Sequence, residues 1–77
     1  MANENKFVMD EDLYSVEFTV EQKKFYIDLK TNKSGAYLKI SEKSAGKRHN
    51  VIIPAPGLEQ LLDGLRKSIE VCQENYG

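Results

Sequence analysis

Between Gln22 and Asn50 this 77-residue chain places eight basic side chains, Lys23, Lys24, Lys30, Lys33, Lys39, Lys43, Lys47 and Arg48, against two acids, Asp28 and Glu42. That segment carries +6 and the remainder −7, so a net charge of −1 conceals a strongly polarised distribution. Tyr26 and Tyr37 stand among the cations. Lysine and arginine bind phosphate without reading sequence, and flat aromatic rings stack on unpaired bases. The plainer reading of the same residues is charge clustered by chance, with tyrosines serving as cross-strand packing partners on a solvated sheet.

Covalent chemistry has little to work with. His49 is the sole histidine and Cys72 the sole cysteine, so no ligand set has zinc spacing. His49 alternates with apolar residues and reads as a packed or edge histidine rather than a catalytic base. Ser41 and Ser44 belong to no nucleophile signature, and the glycines form no phosphate loop. Asp10-Glu11-Asp12 reads as a solvated acidic run. The expectation is a protein that is not an enzyme and holds no cofactor or metal.

The elements that must position the basic residues are strands. Phe25, Ile27 and Leu29 alternate with Tyr26, Asp28 and Lys30; Ala36, Leu38 and Ile40 alternate with Tyr37, Lys39 and Ser41; His49, Val51 and Ile53 alternate with Arg48, Asn50 and Ile52. Tyr14, Val16, Phe18 and Val20 add a fourth run before them. Period-two alternation puts each set on one side of a strand. One face is therefore apolar, and the other carries Lys24, Tyr26, Lys30, Tyr37, Lys39, Arg48 and Asn50. Gln22-Lys23, Thr31 to Gly35 and Glu42 to Lys47 read as the connections, and Pro54 as the end of the last strand. Leu58, Leu61, Leu62, Leu65, Ile69 and Cys72 then recur at helical spacing, predicting one amphipathic helix from about Gly57 to about Glu74. The fold class is α+β: a four-stranded antiparallel meander and a C-terminal helix.

The chain reads as an N-terminal arm over 1–12 followed by one domain over 13–77. No apolar stretch approaches the ~20 residues needed to span a bilayer, and the N-terminus lacks a signal-peptide pattern. With a lone cysteine, a reducing, cytoplasmic setting is expected, the nucleoid being one place within it. Four strands span nearly ~20 Å while a helix is about 10 Å across. One helix therefore covers only part of the apolar face, which predicts a homodimer with Val51, Ile53, Leu58, Leu61, Leu62 and Leu65 in its shared core.

The stretch Lys24-Phe25-Tyr26-Ile27-Asp28-Leu29-Lys30, the Asn32…Gly35 turn, Leu38-Lys39-Ile40-Ser41-Glu42 and the aliphatic strand ending at Pro54 resemble the PUR repeat of the Pur-alpha, purine-rich-element-binding family. The resemblance covers about Val16 to Ile69. It implies a β-β-β-β-α repeat that binds single-stranded DNA or RNA, with a purine- and G-rich preference, two repeats intertwining into one globule. A chain with one repeat is similar to the self-associating bacterial members. Carried over residue by residue, the nucleic-acid contacts fall on Lys30, Asn32, Lys39 and Arg48, with Gln22 and Lys23 entering the second strand. The alternation adds Tyr26 and Tyr37. Glu21 stands where an acid opposes phosphate, and with the acidic remainder it motivates the alternative, an assembly module that keeps the fold without binding nucleic acid.

Overall fold

The computed structural model describes residues 10–77. Four strands, β1 (Glu11–Val20), β2 (Lys23–Asn32), β3 (Gly35–Ser44) and β4 (Lys47–Pro54), form one antiparallel sheet in the order β1-β2-β3-β4. A 3-10 turn over Ala55–Gly57 leads into helix α1, Leu58–Tyr76. This is the meander and trailing helix that the alternation and helical spacing predict. The expected arm falls mostly on residues 1–9, which lie outside the described residues, whereas Glu11 and Asp12 already belong to β1.

The strands run further than the apolar pattern indicates because the turns are tighter. Val20 pairs with Lys23, Asn32 with Gly35, and Ser44 with Lys47, leaving two residues in each connection. Ala45 and Gly46 both take positive φ, 52° and 77°, as a type I′ hairpin demands. Glu21 adopts φ 57°, a left-handed conformation that a residue with a Cβ resists. At the middle turn the Ser34 N–H donates to Asn32 Oδ1 at 2.8 Å, and Gly35 at φ 123° starts β3 where a side chain would be strained. Glu42, Lys43 and Ser44, which composition assigns to a turn, are therefore strand residues.

Register settles the faces. Val16 opposes Ile27, which opposes Ile40, which opposes Val51; Phe18 opposes Phe25; Leu29 opposes Leu38, which opposes Ile53. These residues make the apolar face, where the Phe18 and Phe25 rings stack with centroids 5.4 Å apart. His49 lies at its margin, its Nδ1 3.6 Å from Glu42 Oε1, and is largely exposed, so it is an edge histidine.

The sequence suggests α1 as the cover for this face, and here the structure differs. Substantial contact between helix and sheet is confined to the 3-10 turn, which touches β3 on one side and α1 on the other. No apolar side chain is buried among the described residues. Phe18 remains 45% exposed on the sheet, and Leu65 and Ile69 53% and 55% exposed on the helix. Cys72 is exposed as well, not buried as its position on the apolar stripe suggests. Gly64 has no neighbouring atom within 4 Å of where a Cβ would sit, so nothing within the described chain accounts for a glycine there.

The hairpin turns supply a stability test. Gly46→Ala forces a second Cβ into the left-handed region and is expected to cost about 1 kcal/mol. Ala45→Gly, which relieves that strain, is expected to be neutral or mildly stabilising. Urea denaturation of both variants at one protein concentration measures the pair.

Candidate nucleic-acid interface

On the polar face, directly opposed residues form rows that cross the sheet. Thr19, Lys24, Lys43 and Arg48 make the row nearest the β1–β2 and β3–β4 turns. The next rows are Glu17, Tyr26, Ser41 and Asn50, then Ser15, Asp28, Lys39 and Ile52. Asp12, Lys30, Tyr37 and Pro54 make the last. The register thus gathers Tyr26, Lys30, Tyr37, Lys39 and Arg48 on one surface, as alternation predicts. Lys24, Ser41 and Asn50 lie among them, as the same alternation predicts, and the register adds Lys43. Lys43 escapes sequence reasoning because it looks like turn; a two-residue connection at Ala45-Gly46 is the signal that would have found it.

Three other expected residues sit differently. Gln22 is in the β1–β2 turn, exposed at the edge of the sheet. Lys23 opposes Val20 and so belongs to the apolar side, where its Nζ lies 3.8 Å from Glu42 Oε2. Asn32 closes β2 and uses its side-chain carbonyl on the Ser34 N–H, which leaves the amide N–H groups to donate elsewhere. Asn32 and Tyr37 line a depression of about 340 Å³ together with Ser34, Gly35, Ala36, Ile52 and Pro54.

The two ends of this surface differ in how their charges are occupied. At the far end Lys30 Nζ donates to Asp12 Oδ1 at 2.7 Å, and the Tyr37 hydroxyl donates to Asp10 Oδ2. A β-bulge between Asp12 and Tyr14 makes this possible. It inserts Leu13 and lets Asp12 face the polar side although Tyr14, two residues on, faces the apolar one. The hydrogen bond to Asp12 is the main cause raising the Lys30 pKa above its ordinary value. The hydrogen bond to Asp10 likewise raises that of Tyr37.

At the near end cations gather around a ring. The Arg48 guanidinium carbon is 4.8 Å from the Tyr26 centroid, and Lys24 Nζ is 5.7 Å from it, both within cation–π reach. Tyr26 and Arg48 belong to β2 and β4, so they meet above the intervening β3. Beneath them Ser41 is the one buried polar side chain among the described residues, and its Oγ has no hydrogen-bond partner. No group of three histidine, cysteine, aspartate or glutamate side chains is arranged to hold a metal among the described residues. No helix there is long and apolar enough to cross a membrane.

A four-stranded meander with one trailing helix, open on its apolar side and lined with cations and tyrosines on the other, defines a β-β-β-β-α repeat. The chain belongs to the family of PurA single-stranded DNA- and RNA-binding proteins, whose model matches residues 2–77. It is 48% identical over 54 residues to transcription factor Pur-alpha 1 of Arabidopsis thaliana, an alignment covering 70% of this chain and 18% of that protein. The chain thus spans less than a fifth of that relative's length.

The contact between Asp10 and Tyr37 can be measured. The Tyr37 O–H donates only while protonated, so the interaction is present below the ordinary tyrosine value of 10.0 and is lost as pH rises through the raised one. Asp10→Asn is expected to lower the Tyr37 midpoint. An NMR titration with labelled tyrosine, assigned by Tyr37→Phe, reads this directly; an unchanged midpoint would show that the carboxylate does not act on the ring.

Proposed function

We propose that this chain binds single-stranded DNA or RNA, with a preference for purine- and G-rich sequence, on the polar face of its sheet. The observation that carries the reading is the register, which assembles Tyr26, Lys30, Tyr37, Lys39 and Arg48 on one surface with no element among the described residues packed over it. Cations there attract the phosphate backbone, and tyrosine rings offer platforms to unpaired bases that a duplex keeps stacked away. The depression beside Tyr37 and Asn32 is apolar on its walls with an amide at its edge, a combination suited to a base and its hydrogen-bonding rim. Guanine presents two adjacent acceptors that lysine and arginine donors match, which supports the G-rich preference. Family membership and the Pur-alpha relative support the same reading.

The working unit, in this proposal, is a homodimer. The chain buries no apolar side chain by itself among the described residues, although two stripes, one on the sheet and one on α1, are open. A second copy offers the same two stripes, so sheet and helix of one protomer can cover those of the other in a self-complementary, two-fold arrangement. The polar faces stay outside.

Binding of a G-rich single strand, followed by fluorescence anisotropy, tests the first part. Affinity is expected to fall steeply with salt, and a duplex of the same sequence to bind more weakly. Tyr37→Ala is expected to cost about 1–3 kcal/mol if the ring stacks on a base. Lys39→Ala should weaken binding while shifting stability by less than ~0.5 kcal/mol. Absence of binding at low salt would leave the assembly module as the function.

Association has its own measurement. If folding and dimerisation are one equilibrium, the denaturation midpoint rises with protein concentration. The interface is expected to bury more than ~2,000 Å², in the range of obligate dimers. Sedimentation equilibrium and denaturation at several concentrations check this, and a folded monomer with a fixed midpoint would refute it.

A further inference from the structure

The near end of the polar face contains an arrangement that folding alone does not favour. Lys24 directly opposes Lys43, and Lys43 directly opposes Arg48, so three cations stand in line across β2, β3 and β4. Like charges in directly opposed positions destabilise a sheet. Lys24 is relieved by Glu17, whose Oε2 is 3.4 Å from its Nζ. Neither Lys43 nor Arg48 has an ion-pair partner among the described residues. The opposite end contrasts with this, since Lys30 is already held by Asp12, and Lys39 opposes Asp28. The positive potential of the face is therefore concentrated in one row rather than spread evenly.

We propose that Lys24, Lys43 and Arg48 form a phosphate site, and that Tyr26 in the adjoining row receives the base next to that phosphate. The proposal rests on the single-strand-binding reading above and adds Lys24 and Lys43 to it, with a definite place on the sheet for the backbone of the strand. Three lines converge on it. A phosphate between the cations converts their mutual repulsion into shared attraction, the condition under which such a row is worth keeping. The Tyr26 ring lies within cation–π distance of both Arg48 and Lys24, so an aromatic face and two phosphate donors are already side by side. Ser41, buried beneath the Tyr26–Arg48 contact, has an unpartnered hydroxyl, and a buried hydroxyl without a partner is costly. When Arg48 turns from the ring towards a phosphate, the ring face becomes available to a base and the Ser41 hydroxyl becomes accessible to a ligand oxygen.

The arrangement predicts a substitution that weakens binding without weakening folding. Lys43→Gln removes the central charge of the row. Its affinity for a short G-rich DNA single strand is expected to fall several-fold at low salt. The slope of log affinity against log salt should flatten by about 0.7, the loss of one phosphate contact to a single strand. Its denaturation midpoint should stay level or rise, because two like-charge contacts are gone. Lys67→Gln is the charge-matched control: it lies on α1 beside Glu70 and should alter neither the affinity nor the slope beyond a small, general effect. Should Lys43→Gln bind with the affinity and slope of Lys67→Gln, or should it be destabilised, the phosphate site is overturned while single-strand binding by the unaltered protein stands. If the unaltered protein binds no single strand at low salt, both readings fall together.

Discussion

Backbone pairing between neighbouring strands is the constraint on which everything else in this molecule depends. A strand's side chains alternate, so a register that lines up Ile27, Ile40 and Val51 on one side must also line up Tyr26, Ser41 and Asn50 on the other. The surface that demands burial and the surface that carries the cations are thus one decision, made twice over by the same hydrogen bonds. A slip of one residue in any strand would turn its apolar set to water and its charged set inward. Two-residue connections hold the register in place, and the chain accepts left-handed backbone at Glu21 and Ala45 to have them.

The register does not supply a core. The sheet is one layer, and α1 continues past it after the 3-10 turn instead of folding back. A lone layer with its apolar side in water is not a stable domain, since globular folds bury such faces between at least two layers. The homodimer proposed above would close both stripes with the residues already present, since the apolar stripe of α1 is as open as that of the sheet. With the apolar sides closed against each other, the cationic sides of the proposed dimer would be the ones left facing outward.

Much of this was readable in the residues. The runs around Phe25, Leu38 and Val51 have clean alternation, because apolar side chains occupy one parity and polar ones the other. Helical spacing from Leu58 to Cys72 is equally clear, and the family resemblance rests on ordered positions within the same segments. The ends of the strands were harder. At Glu42, Lys43 and Ser44 both parities are polar, so alternation fades although pairing continues to the Ala45-Gly46 turn. Lys23 joins the expected contacts through the family resemblance alone, and only the register shows that it faces the apolar side. The path of α1 away from the sheet was not legible either, because an amphipathic stripe says that a surface must be covered, not which surface covers it.

The bulge at Leu13 has a consequence for how such a surface can change over time. One residue inserted into an edge strand reverses the facing of everything before it, and here it delivers Asp12 to the cationic side, where it meets Lys30. Gain or loss of a single codon in β1 therefore acts as a change of charge on a surface formed by other strands. No lysine or tyrosine of that surface has to be altered. Length variation in an outer strand, ordinarily regarded as silent drift at the margin of a fold, is here a change in the electrostatic balance of the whole polar face.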